Sequence, residues 1–346
     1  NISRADPDFL ISLGDFAHTE YYGGRNVSHL QEAIERYLLQ RRYIDNITHS
    51  IPFYLVIGNH EGEQGWYFSG RSDLYDNLAV ISTLARQAII PNPSPDGFFT
   101  GNLDRFPEYR LGLREDYFAW EWGDALFVVL APFWYTKVKP HHHGSTGDDP
   151  GWHWTLGKEQ YDWLHATLHD ACAKWKFVLI HHLTSTAVRQ MSYPYYGRGG
   201  IEVAKFKVAG KPSYEWGGED RDGNFVFASM RPGWTHGPVH DLLVDERATI
   251  LFHGHDHFFA KQDLDGIVYQ ECPQPANTRY DFGFKISGEY KEGDFIPNSG
   301  HLNVHVGPDT VVVDYVRAYL PGDGENGTIS YSYIIDKGRF DTFAGR

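Results

Sequence analysis

Four short segments of the 346-residue chain end in side chains that can offer lone pairs to a metal ion. They are Gly14-Asp15, Gly58-Asn59-His60-Glu61, His181-His182 and Gly254-His255-Asp256-His257, each directly after an apolar run. One carboxylate, one amide oxygen and several imidazoles make a mixed nitrogen and oxygen donor set. Such a set suits zinc, manganese, iron or cobalt better than a calcium cage or a thiolate site. The glycines let the backbone turn sharply enough for side chains from separate runs to converge. A single Asp after a strand is ordinarily a turn residue, and a single histidine is ordinarily a satisfied interior or surface group. Four such ends in one order point instead to a shared metal centre.

The apolar runs read as buried strands. Phe9-Leu10-Ile11-Ser12-Leu13 ends at Gly14, and Phe53-Tyr54-Leu55-Val56-Ile57 ends at Gly58. Phe177-Val178-Leu179-Ile180 leads into His181, and Ala248-Thr249-Ile250-Leu251-Phe252 leads into His253 and Gly254. Between them, apolar residues at helical spacing predict helices over 28–49 (with Ser28 as cap), 73–88, 158–173 and 239–246. Residues 117–130 read as a hairpin about the Gly123-Asp124 turn, and a second hairpin runs through 302–316. Residues 90–114 read as a long loop, and residues 183–235 as an aperiodic segment rich in Gly, Tyr and Trp. Strands alternating with helices predict an α/β fold, in which ligands bind beyond the carboxyl ends of the strands.

Composition narrows the class. With 41% hydrophobic and 16% aromatic residues the chain can bury a sizeable core, and 22% charged residues is ordinary for a folded protein. A net charge of −14 disfavours a nucleic-acid surface but not a small phosphorylated substrate, because bound cations invert the local field. Cys172 and Cys272 are too few for a disulfide framework and read as free thiols, a single bridge being the alternative. No apolar run approaches the ~20 residues of a membrane span. The aromatic, glycine-rich, acidic character leans towards a secreted or periplasmic protein. The chain opens at Asn1 rather than Met, so a missing targeting segment carries no weight.

In order and content, these blocks resemble the calcineurin-like metallophosphoesterases. That family carries Asp-x-His, Gly-Asp, Gly-Asn-His-Asp/Glu, a His after a strand, and Gly-His-x-His. The last four occur here, between Gly14 and His257. Tyr117–Leu130 also resembles the Tyr-Phe-x-Trp-Gly-Asp hairpin of the purple-acid-phosphatase-like branch, and Leu156–Leu164 the helix that leads to the fourth block. The resemblance implies a four-layer α/β/β/α metallophosphoesterase sandwich with long cap loops. One catalytic domain would span residues 1–320, with a cap insertion at 183–238 and a C-terminal extension at 321–346.

The resemblance also implies roles. Two divalent or trivalent transition-metal ions (Zn, Mn, Fe or Co) would be bridged by Asp15. Asn59, His181 and His255 would complete one ion, and His257 would bind the other. His182 is the alternative to His181 and otherwise faces the substrate. His60 would serve as general acid or hydrogen-bond donor at the leaving group. His18, three residues after Asp15 where purple acid phosphatases have a tyrosine ligand, is a further candidate ligand. The implied reaction is phosphomonoester or phosphodiester hydrolysis by a metal-activated hydroxide attacking in line. Arg198, whose planar fork suits phosphate oxygens, is a candidate substrate clamp. The run Tyr193–Gly200 reads as overhanging the site, Tyr214–Gly218 and Arg231–Trp234 as cap packing, and His141-His142-His143 as a solvated loop.

One block departs from the pattern. Nothing before Asp15 supplies Asp-x-His, and Asp6-Pro7-Asp8 is the nearest text. The expectation is that residues 1–8 are the tail of a connection from an earlier strand. The alternative is a binding or regulatory protein on the same fold with an impaired site.

Overall fold

A computed structural model describes residues 1–20, 24–68, 77–140, 150–185, 197–204, 212–282 and 290–336. His141-His142-His143 and Tyr193–Tyr196 lie outside them. Among the described residues the largest sheet has eight strands. Across it run Asp294–Ile296, Phe259–Leu264, Ile267–Glu271, Ile250–His253, Trp175–Leu179, Ala125–Val129, Phe118–Trp122 and Thr100–Gly101. The four central strands, Ile267–Glu271 to Ala125–Val129, are mutually parallel, and the outer ones are antiparallel.

Burial on both faces explains why these runs read as almost continuously apolar. One face carries Val128, Val178, Ile180 and Leu251, which pack with Leu164, Leu168, Leu242 and Leu243 of helices Lys158–Asp170 and Val239–Asp245. The other face carries Phe127, Phe177 and Phe252, which pack against a second β layer. That layer has two parts. Leu10–Ser12 pairs in parallel with Phe53–Leu55, and Gly300–Val306, Thr310–Arg317 and Ile329–Asp336 form an antiparallel sheet. The pleat alternates cleanly here. Tyr54 and Val56 face the large sheet, whereas Phe53 and Leu55 face helices Leu30–Thr48 and Leu78–Ile89. The order is therefore helix, sheet, sheet, helix: the expected four-layer sandwich.

Several boundaries differ from the expectations. The cap of helix Leu30–Thr48 is His29 rather than Ser28: the His29 ring accepts from the Glu32 N–H, while the Glu32 carboxylate accepts from the Ser28 N–H. The pattern resembles a capping box, with an imidazole in place of a hydroxyl and the Glu32 bond made to the N–H one residue before the cap. Helix Leu78–Ile89 begins after Asn77, whose side chain accepts from the Ala79 N–H. Within 90–114, read as a loop, Thr100–Gly101 adds an edge strand to the large sheet and Arg105–Phe106 pairs with Leu111–Leu113. Ile329–Asp336, within the stretch read as an extension, is the outer strand of the three-stranded sheet. Short helices Ile201–Ala204, Tyr214–Gly217 and Phe227–Met230 interrupt the 183–238 segment. Cys172 and Cys272 are unpaired. Among the described residues no helix is long and apolar enough to cross a membrane.

One buried ionic network anchors the chain that follows Asn59. The fully buried Glu63 carboxylate accepts from Arg86 (2.6 Å), Thr83 (2.9 Å) and Arg114 (3.2 Å). Arg114 also pairs with Asp116 at 3.1 Å and lies over the Trp134 ring. Removing one member of such a network strands buried charge. Glu63→Ala is therefore expected to cost about 3–5 kcal/mol, measured as a lower urea midpoint at unchanged m-value.

Candidate metal centre

The strand ends named from the sequence meet at one edge of the sandwich. Leu10–Ser12 and Phe53–Leu55 deliver Asp15 and Asn59 from one layer. Trp175–Leu179 and Ile250–His253 deliver His181 and His255 from the other. At the centre is Nε2 of His181. It lies 3.1 Å from Asn59 Oδ1, 3.2 Å from His255 Nδ1 and 3.3 Å from Asp15 Oδ2. The donor atoms of Asp15, His181 and His255 all lie within 4.8 Å of one another. Ligand bonds of about 2.0–2.1 Å in a tetrahedron imply donors roughly 3.3 Å apart. The spacing and the two-imidazole, two-oxygen chemistry therefore fit a first-row transition metal.

The His181 tautomer is set by its other nitrogen, since Nδ1 donates to the Leu13 carbonyl at 2.6 Å. That leaves the Nε2 lone pair aimed at the cluster, the usual arrangement for a ligating imidazole. Burial pulls the His181 pKa down, but the charge and hydrogen bond of Asp15 outweigh it, and the net direction is up. Burial would likewise push Asp15 up, yet His181, His60 and His255 together hold it well below the usual carboxylate range. Without a cation, then, a proton on His181 Nε2 neutralises the carboxylate. His255 is pushed well down, first by burial and then by the Arg198 charge, and stays a neutral imidazole.

Two carboxylates without an assigned role in the sequence reading hold the loops together. Glu61, fully buried, accepts backbone N–H bonds from Ala17 (2.9 Å), Asp15 (2.9 Å) and Gly58 (2.5 Å). It ties the loop after one strand to the loop after its neighbour. Burial, then the Asp15 charge, pushes its pKa up to about 7. Gly14 and Gly58 lie back to back: a Cβ on Gly58 would sit 2.4 Å from the Asp15 nitrogen and Oδ1. Glu271, at the end of the strand beside Ile250–His253, accepts from the N–H groups of Asp256 (3.0 Å) and His257 (3.1 Å). These bonds hold His255 and His257 at φ 79° and 65°, left-handed values that cost a non-glycine residue about 1–3 kcal/mol. Glu61 directly follows the Asn-His pair and Glu271 ends an apolar run, so position was the available signal for both.

The remaining candidates lie around this cluster. His60 donates its backbone N–H to Asp15 Oδ1 at 2.9 Å, and its ring stacks on His18 with centroids 4.3 Å apart. The His18 pKa is lowered, by burial first and then by His60. His257 is lowered to about 4, mainly by burial. His18, His60 and His257 are not among the three residues grouped around Nε2 of His181. The His182 ring packs edge-on against Phe133 and Trp154, 5.2 Å from the His255 ring, and burial followed by the His181 charge lowers it to about 3. Arg198 pairs with Asp256 at 2.5 Å and donates to the His255 carbonyl at 3.2 Å. Asp256 is buried and also accepts from Gly199 N–H and Tyr290 Oη.

The fold has solved counterparts. The structure of PhoD superposes with a TM-score of 0.62 at 15% identity, over 96% of this chain and 65% of that one. A purple acid phosphatase, PPD1, isolated from yellow lupin seeds aligns over 96% of this chain and 47% of its own, with 16% identity and a TM-score of 0.48. This chain thus spans just under two thirds of the length of PhoD, and the likeness to PhoD extends to the fold. No protein-family model matches the chain, and no curated protein does.

Two outcomes follow from this geometry. A cation must displace the proton that the raised His181 pKa retains, so metal occupancy should fall as pH drops. The decline should begin above 6.5, the ordinary histidine value, as read by dialysis and metal analysis across a pH series. Glu61→Ala leaves three buried N–H donors unpaired and should cost at least about 2 kcal/mol. Its metal affinity should fall with it, as measured by titration with zinc or manganese.

Proposed function

We propose that this chain hydrolyses phosphate esters with the help of cations held by Asp15, Asn59, His181 and His255. The observation that carries this reading is the spacing around His181 Nε2. Three donors lie within 3.1–3.3 Å of an imidazole nitrogen whose partner nitrogen is already engaged. When bound, zinc, manganese, iron or cobalt supplies Lewis-acid charge to phosphoryl oxygens and lowers the pKa of water. A cationic centre also answers the net charge of −14, which would otherwise repel an anionic ester.

The residues divide the work. Asp15, His257 and His18 would hold a second cation. His60, its backbone committed to Asp15, keeps its imidazole for the leaving oxygen, to which it donates a hydrogen bond or a proton. Arg198, engaged with Asp256, serves substrate binding through the loop that carries His255 and His257. His182 shapes the wall beside that loop. The substrate is a small phosphomonoester or phosphodiester.

The experiment is metal loading followed by turnover of a chromogenic phosphomonoester and a chromogenic diester. Bound metal with turnover is expected. Asn59→Ala should lower metal affinity about 10–100-fold. His60→Ala should keep the metal but lose about 10²–10⁴-fold in kcat. Metal bound without turnover of either ester would make this a binding or regulatory protein, and failure to bind metal at all would remove the reading.

A further inference from the structure

A second cluster of ligand-type side chains lies on the outer helical layer. His165 and His169 stand four residues apart on helix Lys158–Asp170 and therefore share one face. Glu246, which caps the end of helix Val239–Asp245, faces both. Its Oε1 is 3.2 Å from His169 Nδ1 and 3.4 Å from His165 Nε2, and the three atoms lie within 4.8 Å of one another. His236 stacks flat on His165, with centroids 3.4 Å apart and 12° between planes.

This cluster is remote from the strand-end centre. The Lys176 ammonium donates to the carbonyls of Leu168 (2.5 Å) and Glu246 (3.1 Å), tying both helix ends to the start of strand Trp175–Leu179. His181 follows the other end of that strand. The two clusters therefore occupy opposite edges of the large sheet.

We propose that His165, His169 and Glu246 form a separate structural site for a divalent transition metal of the zinc class. Both carboxylate-to-imidazole distances match the roughly 3.3 Å edge of a tetrahedron with bonds of about 2.0–2.1 Å. Two imidazoles and one carboxylate select zinc, nickel or copper over magnesium or calcium. The fourth position is open to solvent beside the largely exposed His169 side chain, so an ion can enter without unfolding the helices. His236 orders the His165 ring by stacking. The Lys176 tie fixes the two helix ends before any ion arrives, so little ordering remains to be paid on binding. A bound ion would clamp the two outer helices together and, through His236, hold the chain entering Val239–Asp245 against them.

The test uses the whole protein, dialysed against micromolar zinc and then analysed for metal. His169→Ala and His165→Ala should each hold one equivalent less than the parent chain. Zinc affinity at the remaining sites and phosphate-ester turnover should be unchanged. Zinc should raise the thermal midpoint of the parent more than that of either variant, and His169→Gln should behave as His169→Ala. Equal zinc content in parent and variants would overturn the proposal. Glu246 would then be only a hydrogen-bond partner of two imidazoles. The exposed His169 position makes its substitution compatible with folding, so a null result there is decisive.

Discussion

The Glu61 carboxylate is the interaction on which the strand-end centre depends. Three backbone N–H groups from two loops converge on its two oxygens inside the protein. Each of those loops follows a different strand, and nothing in a parallel strand pair by itself dictates how the chain leaves it. Glu61 supplies that constraint, and the close backbones at Gly14 and Gly58 leave no room for a side chain at either position. Asp15 consequently projects from a left-handed backbone at φ 53° towards His181. A hydrogen-bonded carboxylate is a costly anchor, since burial opposes its charge, and here its cost is offset by the donors it organises.

A second buried carboxylate does the same for the other layer. Glu271 holds the N–H groups of Asp256 and His257, Arg198 holds the His255 carbonyl, and Asn298 donates to the His257 carbonyl. The histidine loop thereby has two backbone donors and two carbonyls paired in a conformation that non-glycine residues seldom adopt. The two halves of the site are thus built alike: a strand end, a strained turn and a buried acid behind it. His181 lies between them, reading one layer through Leu13 and Asp15 and the other through His255.

This division also explains what was legible in the sequence. Asp15, Asn59, His181 and His255 were visible because each follows an uninterrupted apolar run, and burial on both faces is what makes a strand read that way. The runs gave the α/β class, and the four-layer order followed from the resemblance. Of the supporting acids only the positions were legible, Glu61 after the Asn-His pair and Glu271 at the end of an apolar run, because their burial is a property of the assembled layers. The His29 cap was missed because a serine stands beside it and imidazoles seldom take that role. Ile329–Asp336 was missed because it is half-exposed and its alternating tyrosines and serines give no continuous apolar signal.

Electrostatics links the site to the rest of the molecule. His181 retains a proton against burial because Asp15 must be neutralised by something, whereas His182, one residue on and facing aromatic rings, loses its own. Adjacent histidines on one chain therefore have opposite protonation tendencies, set by whether the Asp15 carboxylate lies against the ring. The imidazole beside the carboxylate can exchange a proton for a cation. The one against Phe133 and Trp154 is kept neutral by burial. Both residues follow the end of strand Trp175–Leu179, and what lies against each ring, not its residue type, makes the difference.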